Sequence, residues 1–248
     1  MEHDQKNLLR GKLALLFGFV FFLSFGLVLI SAEPDGVSDV NITSNETREA
    51  VPAFEVNISG GYISTMNVTA SVQNPRWKAF VGWVVGRFTL DNFGGDTIYD
   101  WELASTSGNI FATRNETTVM WADITCANST ILENENIALN HTNSGDNITI
   151  TFSDTTHDGF FVGGVEITQD TCPSLHTYVN SESQSTNFQQ VALFDSPDLV
   201  GNVVYSTKIE EGEVGFDGNE YDFQMIVPEV GLAGWSGATP YYLYVELN

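Results

Sequence analysis

Few residues in this chain stand where chemistry would need them. Gly234-Trp235-Ser236-Gly237-Ala238 approaches the elbow that presents a nucleophilic serine, but Ala238 occupies the second glycine position, and no strand-before, helix-after context surrounds it. His141, His157 and His176 stand apart, each beside turn residues, and no His pair at i, i+4 offers a zinc site. They read as solvated loop residues. Three acidic clusters remain: Asp154, His157 and Asp158; Asp195 and Asp198; and Asp217, Asn219, Glu220 and Asp222. Calcium wants six to eight oxygens on a short loop with a glycine turn. The last cluster has Gly218 but not EF-hand spacing, so turn chemistry is the plainer reading and a loop calcium site the alternative. No other cofactor is indicated. Trp77, Trp83, Trp101 and Trp121 lie in alternating apolar runs and are expected in the core. Trp235, between glycines, is the one ring placed to stack on a sugar.

Two residue types point to an address instead of a reaction. Eight Asn-x-Ser/Thr acceptors occur, at Asn41, Asn45, Asn57, Asn67, Asn115, Asn128, Asn140 and Asn147. All fall within residues 41–149. Cys126 and Cys172 are the two cysteines, and an even count in an exported chain reads as one disulfide. Export itself is read from the N-terminus. Lys6, Arg10 and Lys12 precede an uncharged apolar run from Leu13 to Ile30, long enough to span a bilayer. Residues 1–32 are therefore a signal peptide or a membrane anchor helix, with Ile30-Ser31-Ala32 as a tolerable cleavage site.

The elements that carry these residues are strands. Phe54, Val56 and Ile58 alternate with Asn57; Met66, Val68, Ala70 and Val72 alternate with Asn67; Ile148, Ile150 and Phe152 oppose Asn147. Period two puts each of those asparagines on a solvent face. Tyr99 and Trp101 oppose Asp100 and Glu102, and Tyr221, Phe223, Met225 and Val227 oppose Glu220, Asp222 and Gln224. Tyr241, Leu243, Val245 and Leu247 form one face after Pro240, which predicts an interior or near-interior strand. Trp77–Leu90 is apolar on both faces, with Gly82 and Gly86 inside it: a central strand, or a pair broken at a glycine. Residues 131–139 could hold a short helix. The expected fold is all-β, a β-sandwich or jelly roll following the N-terminal hydrophobic helix. Residues 33–53 read as a flexible stalk and 54–248 as the sandwich domain, with a subdomain break near 173–187 as an alternative division.

Arg76-Trp77-Lys78-Ala79-Phe80-Val81-Gly82 through Tyr99-Asp100-Trp101, taken with Gly215-Phe216-Asp217-Gly218, Tyr221 to Pro228 and Tyr244-Val245-Glu246-Leu247, resembles uncharacterised predicted surface proteins of small-genome archaea. That resemblance implies location and sequon use, and brings no activity and no site residue.

Net charge is −23, from 32 acidic and 9 basic residues. Such a surface repels phosphate backbones and anionic lipid heads, which excludes nucleic acid as a partner. The remaining expectations are a non-enzymatic cell-surface glycoprotein, a filament or coat subunit that adds the strand around 54–59 to a neighbour's sheet edge, or a glycan- or calcium-dependent binding module. Partners would be the membrane through residues 1–32, and self, other surface proteins or glycans through the rest. A non-reducing digest is expected to release Cys126 and Cys172 in one cross-linked peptide, and free thiols on both would contradict the pairing. Trypsin cannot serve, because no Lys or Arg lies between Arg114 and Lys208.

Overall fold

The computed structural model describes residues 33–248 apart from 116–118, 143–144, 197–200, 233 and 235. The hydrophobic run within 1–32 lies outside the described residues. The protein is all-β in class, built on one antiparallel sheet. Its strands are β1 (Asp35–Gly36), β5 (Ser107–Thr113), β6 (Thr125–Cys126), β9 (Ser174–His176), β10 (Gln189–Phe194), β11 (Val203–Glu210) and β15 (Tyr242–Leu247). They run in the order β1-β15-β5-β11-β10-β6, with β9 also paired to β10.

Period two explains why this sheet holds together. In β10, Ala192 and Phe194 face one apolar cluster while Val191 and Leu193 face another. Likewise β5 sends Ile110 and Ala112 to the first cluster and Phe111 to the second, and β11 sends Tyr205 and Ile209 one way and Val204 the other. A strand buried on both faces needs a cover on each. The first cover is the ribbon of β2 (Trp77–Gly82) and β14 (Phe223–Pro228), with α1 (Ser129–Ala138) and the single turn α2 (Ile148–Thr151). It supplies Met225, Val227, Ile131, Leu132, Ile148 and Phe152. The second cover is the turn Trp121–Asp123 with the hairpin β7 (Phe160–Val162) and β8 (Val165–Ile167), bringing Trp121, Val162 and Ile167. Cys126 and Cys172 lie at disulfide-bonding distance, with Cα atoms 4.9 Å apart, and border this second cluster.

The short helix expected at 131–139 is present, and its boundary has a visible cause. Asn128 accepts a hydrogen bond from the Ile131 N–H at 3.0 Å, and Asn140 beyond its end adopts a left-handed φ of 56°. Buried Asn136 then joins the helices, its Oδ1 accepting from the Ile148 N–H at 2.8 Å and its Nδ2 donating to Thr149 Oγ1 at 2.9 Å.

Several sequence readings are corrected. Asn147–Phe152 is not a strand: Asn147 caps a helical turn, accepting from the Ile150 N–H at 2.7 Å, and Ile150 faces solvent. An N-cap asparagine followed by Ile-Thr suits either geometry, and packing on α1 decides it. The stretches 54–59 and 62–72 form no ladder, and Met66 and Val68 are exposed. Of the two readings of Trp77–Leu90, the single central strand is the one overturned: the stretch is two strands, β2 and β3 (Arg87–Asp91), divided at Trp83–Gly86 as the glycine alternative has it, and they belong to two different ribbons. Trp83 and Trp101 lie on the surface, unlike Trp121. Asp222 and Gln224, expected on a wet face, are buried. Polar residues survive there because backbone groups bond them, as described below.

The C-terminal strand sits where its pattern predicts, between β1 and β5. Tyr241, Leu243, Val245 and Leu247 pack on the first cluster and Tyr244 on the second. Gly108 makes the fit feasible: its φ is +132°, and a Cβ there would meet the Glu246 carbonyl oxygen at 1.9 Å. Each large aliphatic side chain, when fully buried, contributes roughly 1.5–3 kcal/mol, against a typical total of about 5–15 kcal/mol. Truncation before Pro240 is therefore expected to abolish cooperative unfolding and near-UV circular dichroism. Unchanged melting of the truncated chain would show that β15 is an appendage.

Candidate functional site

The side chains able to do chemistry are mostly consumed by the fold. His141, His157 and His176 are all withdrawn from solvent, contrary to the loop expectation. His157 is 2% exposed; its Nδ1 lies 2.7 Å from the Asp158 carbonyl oxygen, and its Nε2 accepts from the N–H groups of Thr171 and Cys172 at 3.1 and 3.0 Å. Two N–H donors on Nε2 place the ring proton on Nδ1. The imidazole thus braces the loop entering the disulfide. His141 sits edge-on to Trp77 with Nε2 2.6 Å from the Glu229 carbonyl oxygen. His176 has its Nδ1 3.7 Å from the Asp154 carboxylate. Ser236 is on an exposed loop, and Trp235 lies outside the described residues.

The calcium candidates are not brought together. Asp217 closes its own turn, accepting from the Asn219 N–H at 3.0 Å and Nδ2 at 2.6 Å and from the Tyr221 hydroxyl at 3.1 Å. These bonds, the Asn219 N–H first, hold its carboxyl below the usual range. Asp222 points the other way, accepting from the N–H groups of Val84 at 2.8 Å and Gly212 at 2.9 Å. Glu220 stays exposed. Among the described residues no group of three or more His, Cys, Asp or Glu side chains converges on a metal position. Asp154 is likewise spent on its own turn with Thr155 and Thr156, and Asp195 on Asn202; Asp198 lies outside the described residues.

A cleft of about 330 Å³ opens beside Asn109, Asp158, Phe160, Phe161, Ser206 and Lys208. Its charges answer each other: Lys208 Nζ is 2.8 Å from Asp158, and that hydrogen bond raises the Lys208 pKa and lowers the Asp158 pKa. Within the cleft the described groups pair no nucleophile with a base.

The acceptor asparagines are mostly reachable. Asn41, Asn45, Asn57, Asn67, Asn128 and Asn140 are exposed, and Asn115 and Asn147 half-buried. Capping explains three of the eight without any glycan. Asn128 and Asn147 use Oδ1 at helix starts, leaving Nδ2 out of the cap bond, and Asn140 takes the left-handed position after α1.

The surface that stands out is apolar. Residues 38–75 are exposed throughout and form an arm that turns at Gly60-Gly61, where the Tyr62 N–H reaches the Ser59 carbonyl at 3.4 Å. Arg48 stitches the two limbs through Ser71 at 2.8 Å. Eleven large apolar side chains on the arm are exposed, from Val40 to Val72. Beyond β2, the ribbon of β3 and β4 (Thr97–Glu102) adds another such face. Its register sets Phe88 opposite Trp101 and Leu90 opposite Tyr99, all four on one side and all exposed. Trp83, 62% exposed, leans on Tyr221 with ring centroids 5.3 Å apart. Exposed apolar area of this extent marks an interaction surface more often than an enzyme site. Sequence reasoning missed it because alternation cannot tell a face that meets the chain's own core from one left exposed. No family model, curated protein or solved structure matches this chain.

A carboxylate ties β2 to the segment that precedes β15. Glu229 accepts from Lys78 Nζ at 2.9 Å and from the N–H groups of Val230 and Thr239 at 2.9 and 2.8 Å, and its carboxylate also bonds the Thr239 hydroxyl. Burial alone would raise its pKa, but these bonds outweigh burial and hold it at about 2, below the ordinary 4.5. A depressed folded pKa gives stability that is complete above the unfolded value and lost as pH falls through the folded one. Glu229→Gln is expected to cost about 2–3 kcal/mol at neutral pH and to flatten the acid limb between pH 5 and 2. Urea titrations at stepped pH check this, and a variant with the wild-type acid slope would refute it.

Proposed function

We propose that this chain is a non-catalytic surface glycoprotein, exported by its N-terminal hydrophobic segment and presenting a β-sandwich outside the membrane. The arm carries the reading. It holds four acceptor asparagines, Asn41, Asn45, Asn57 and Asn67, on fully exposed chain, where a glycosyltransferase could reach them after folding. The bonding distance of Cys126 and Cys172 fits an oxidising compartment. The β2–β14 ribbon lying across one face of the main sheet supports the sandwich description. The resemblance to predicted archaeal surface proteins is consistent with the same address.

A second reading, association by strand addition, draws on a separate observation. The exposed arm alternates apolar and polar residues along 62–72 yet pairs with no described strand. An edge or segment of this kind is what β-augmentation uses.

Intact-glycopeptide mass spectrometry with N-terminal sequencing of the native protein tests the first reading. Glycans are expected on the arm asparagines ahead of half-buried Asn115 and Asn147. A native protein with no glycan at any of the eight positions would overturn it.

A further inference from the structure

The ribbon of β2 and β14 has two edges, and the body closes only one of them. On the β14 side, Gln190 from β10 acts as a substitute strand: its Oε1 accepts from the Ile226 N–H at 2.9 Å and its Nε2 donates to the Ile226 carbonyl at 2.7 Å. Thr207 adds a bond to the Gln224 carbonyl at 2.9 Å. On the β2 side no described residue does the same. The Glu229 N–H bonds the Arg76 carbonyl, and from there the register turns the backbone groups of Lys78, Phe80 and Gly82 toward β14. Those of Ala79 and Val81 therefore point outward, and among the described residues no hydrogen bond reaches them. The side chains of Ala79, Val81, Trp83 and Val85 are exposed as well. A bare, apolar strand edge is a pairing template that proteins ordinarily blunt with charge, proline or a cover.

The arm supplies a matching strand. Met66, Val68, Ala70 and Val72 alternate with Thr65, Asn67, Thr69 and Ser71, and no charged residue occurs from Val56 to Pro75. In a chain of net charge −23, most contacts between copies are repulsive, and association is restricted to neutral stretches. The donor stretch is uncharged, and the one charge on β2, Lys78, is already neutralised by Glu229. The arm is also held away from the edge of its own copy. Asn74 Nδ2 and Arg76 Nη1 both bind the Asp146 carboxylate, at 2.6 and 3.0 Å, and Trp77 Nε1 binds the Asp146 carbonyl at 2.9 Å. A fold-back hairpin would need residues 73–76 for its turn, and this pin fixes them otherwise.

We infer that residues 62–72 of a second copy of this chain add as a strand to the open edge of β2. This rests on the strand-addition reading above, and the surface-glycoprotein reading stands or falls separately. Each copy has one donor and one acceptor, so the contact can propagate head to tail or close as a reciprocal pair.

The test uses full-length chains in detergent, in which the native cysteines are paired and introduced thiols are the free ones. Chains carrying Val68→Cys are mixed with chains carrying Val81→Cys and treated with a short bis-maleimide, whose reach tolerates a shift in register. Both positions are exposed in the isolated chain, so neither change disturbs its core. A cross-linked dimer is expected from the mixture. Ala79→Pro, which removes an outward N–H that an edge strand can spare, should lower its yield about tenfold, as should Met66→Asp on the donor. Cross-linking confined to a single chain carrying both cysteines would overturn the inference in favour of fold-back. So would a mixture that gives no dimer, or one whose yield ignores both Ala79→Pro and Met66→Asp. If glycans are nonetheless present on such a protein, only the strand exchange has failed.

Discussion

The structure depends on one insertion: β15 between β1 and β5. Its backbone bonds β5 along six residues, from Tyr242 opposite Thr113 to Leu247 opposite Gly108, and on its other side it bonds Asp35–Gly36. Its side chains enter both apolar clusters. Without that strand, β5 becomes an edge, Ile110 and Phe111 lose neighbours on opposite faces, and the chain preceding the arm has nothing to pair with. The requirement for glycine at 108 follows from this closeness, since the β15 backbone occupies the space a side chain would need.

Polar groups hold the first cover to the sheet. Gln190, Thr207 and Gln224 are all buried, and each bonds backbone of another segment: Ile226, Gln224 itself, and the turn residues Phe216 and Tyr178. A buried amide left without partners is costly. These residues consequently fix how the ribbon lies across the sheet more narrowly than Met225 and Val227 could by apolar contact alone. Glu229 does the same at the ribbon's far end, gathering Lys78 of β2 and Thr239 ahead of β15 onto one carboxylate.

Residue type and spacing carried the strand-rich class, the helix after Asn128, the cysteine pair and the placement of β15, because each follows from local periodicity, capping or a count. The misreadings share a cause. Gln224 and Asp222 look wet because they are polar, and Trp83 and Met66 look dry because they are apolar; only tertiary contacts show that each is the reverse. Histidines beside turn residues look solvated until His157 is seen accepting two backbone N–H bonds. The alternation along 62–72 was legible, but its exposure was not: the sequence offered 54–59 as the strand for a neighbour and placed Met66 and Val68 inside. The open edge of β2 was not legible either, since β2 reveals its free side only when its pairing partner, almost 150 positions later, is known.

The closing strand also orders events in time. β1 and β15 are joined across nearly the whole described chain, Asp35 to Val245, and contacts so distant in sequence form slowly because a long loop must close first. A polypeptide lengthening from its N-terminus cannot complete the main sheet until residues beyond 241 have emerged. Up to that point β5 has an open flank and the apolar arm is already present. Newly made copies close together would thus meet one another with unfinished sheets, and whatever holds them apart during synthesis decides whether each first closes on its own last strand.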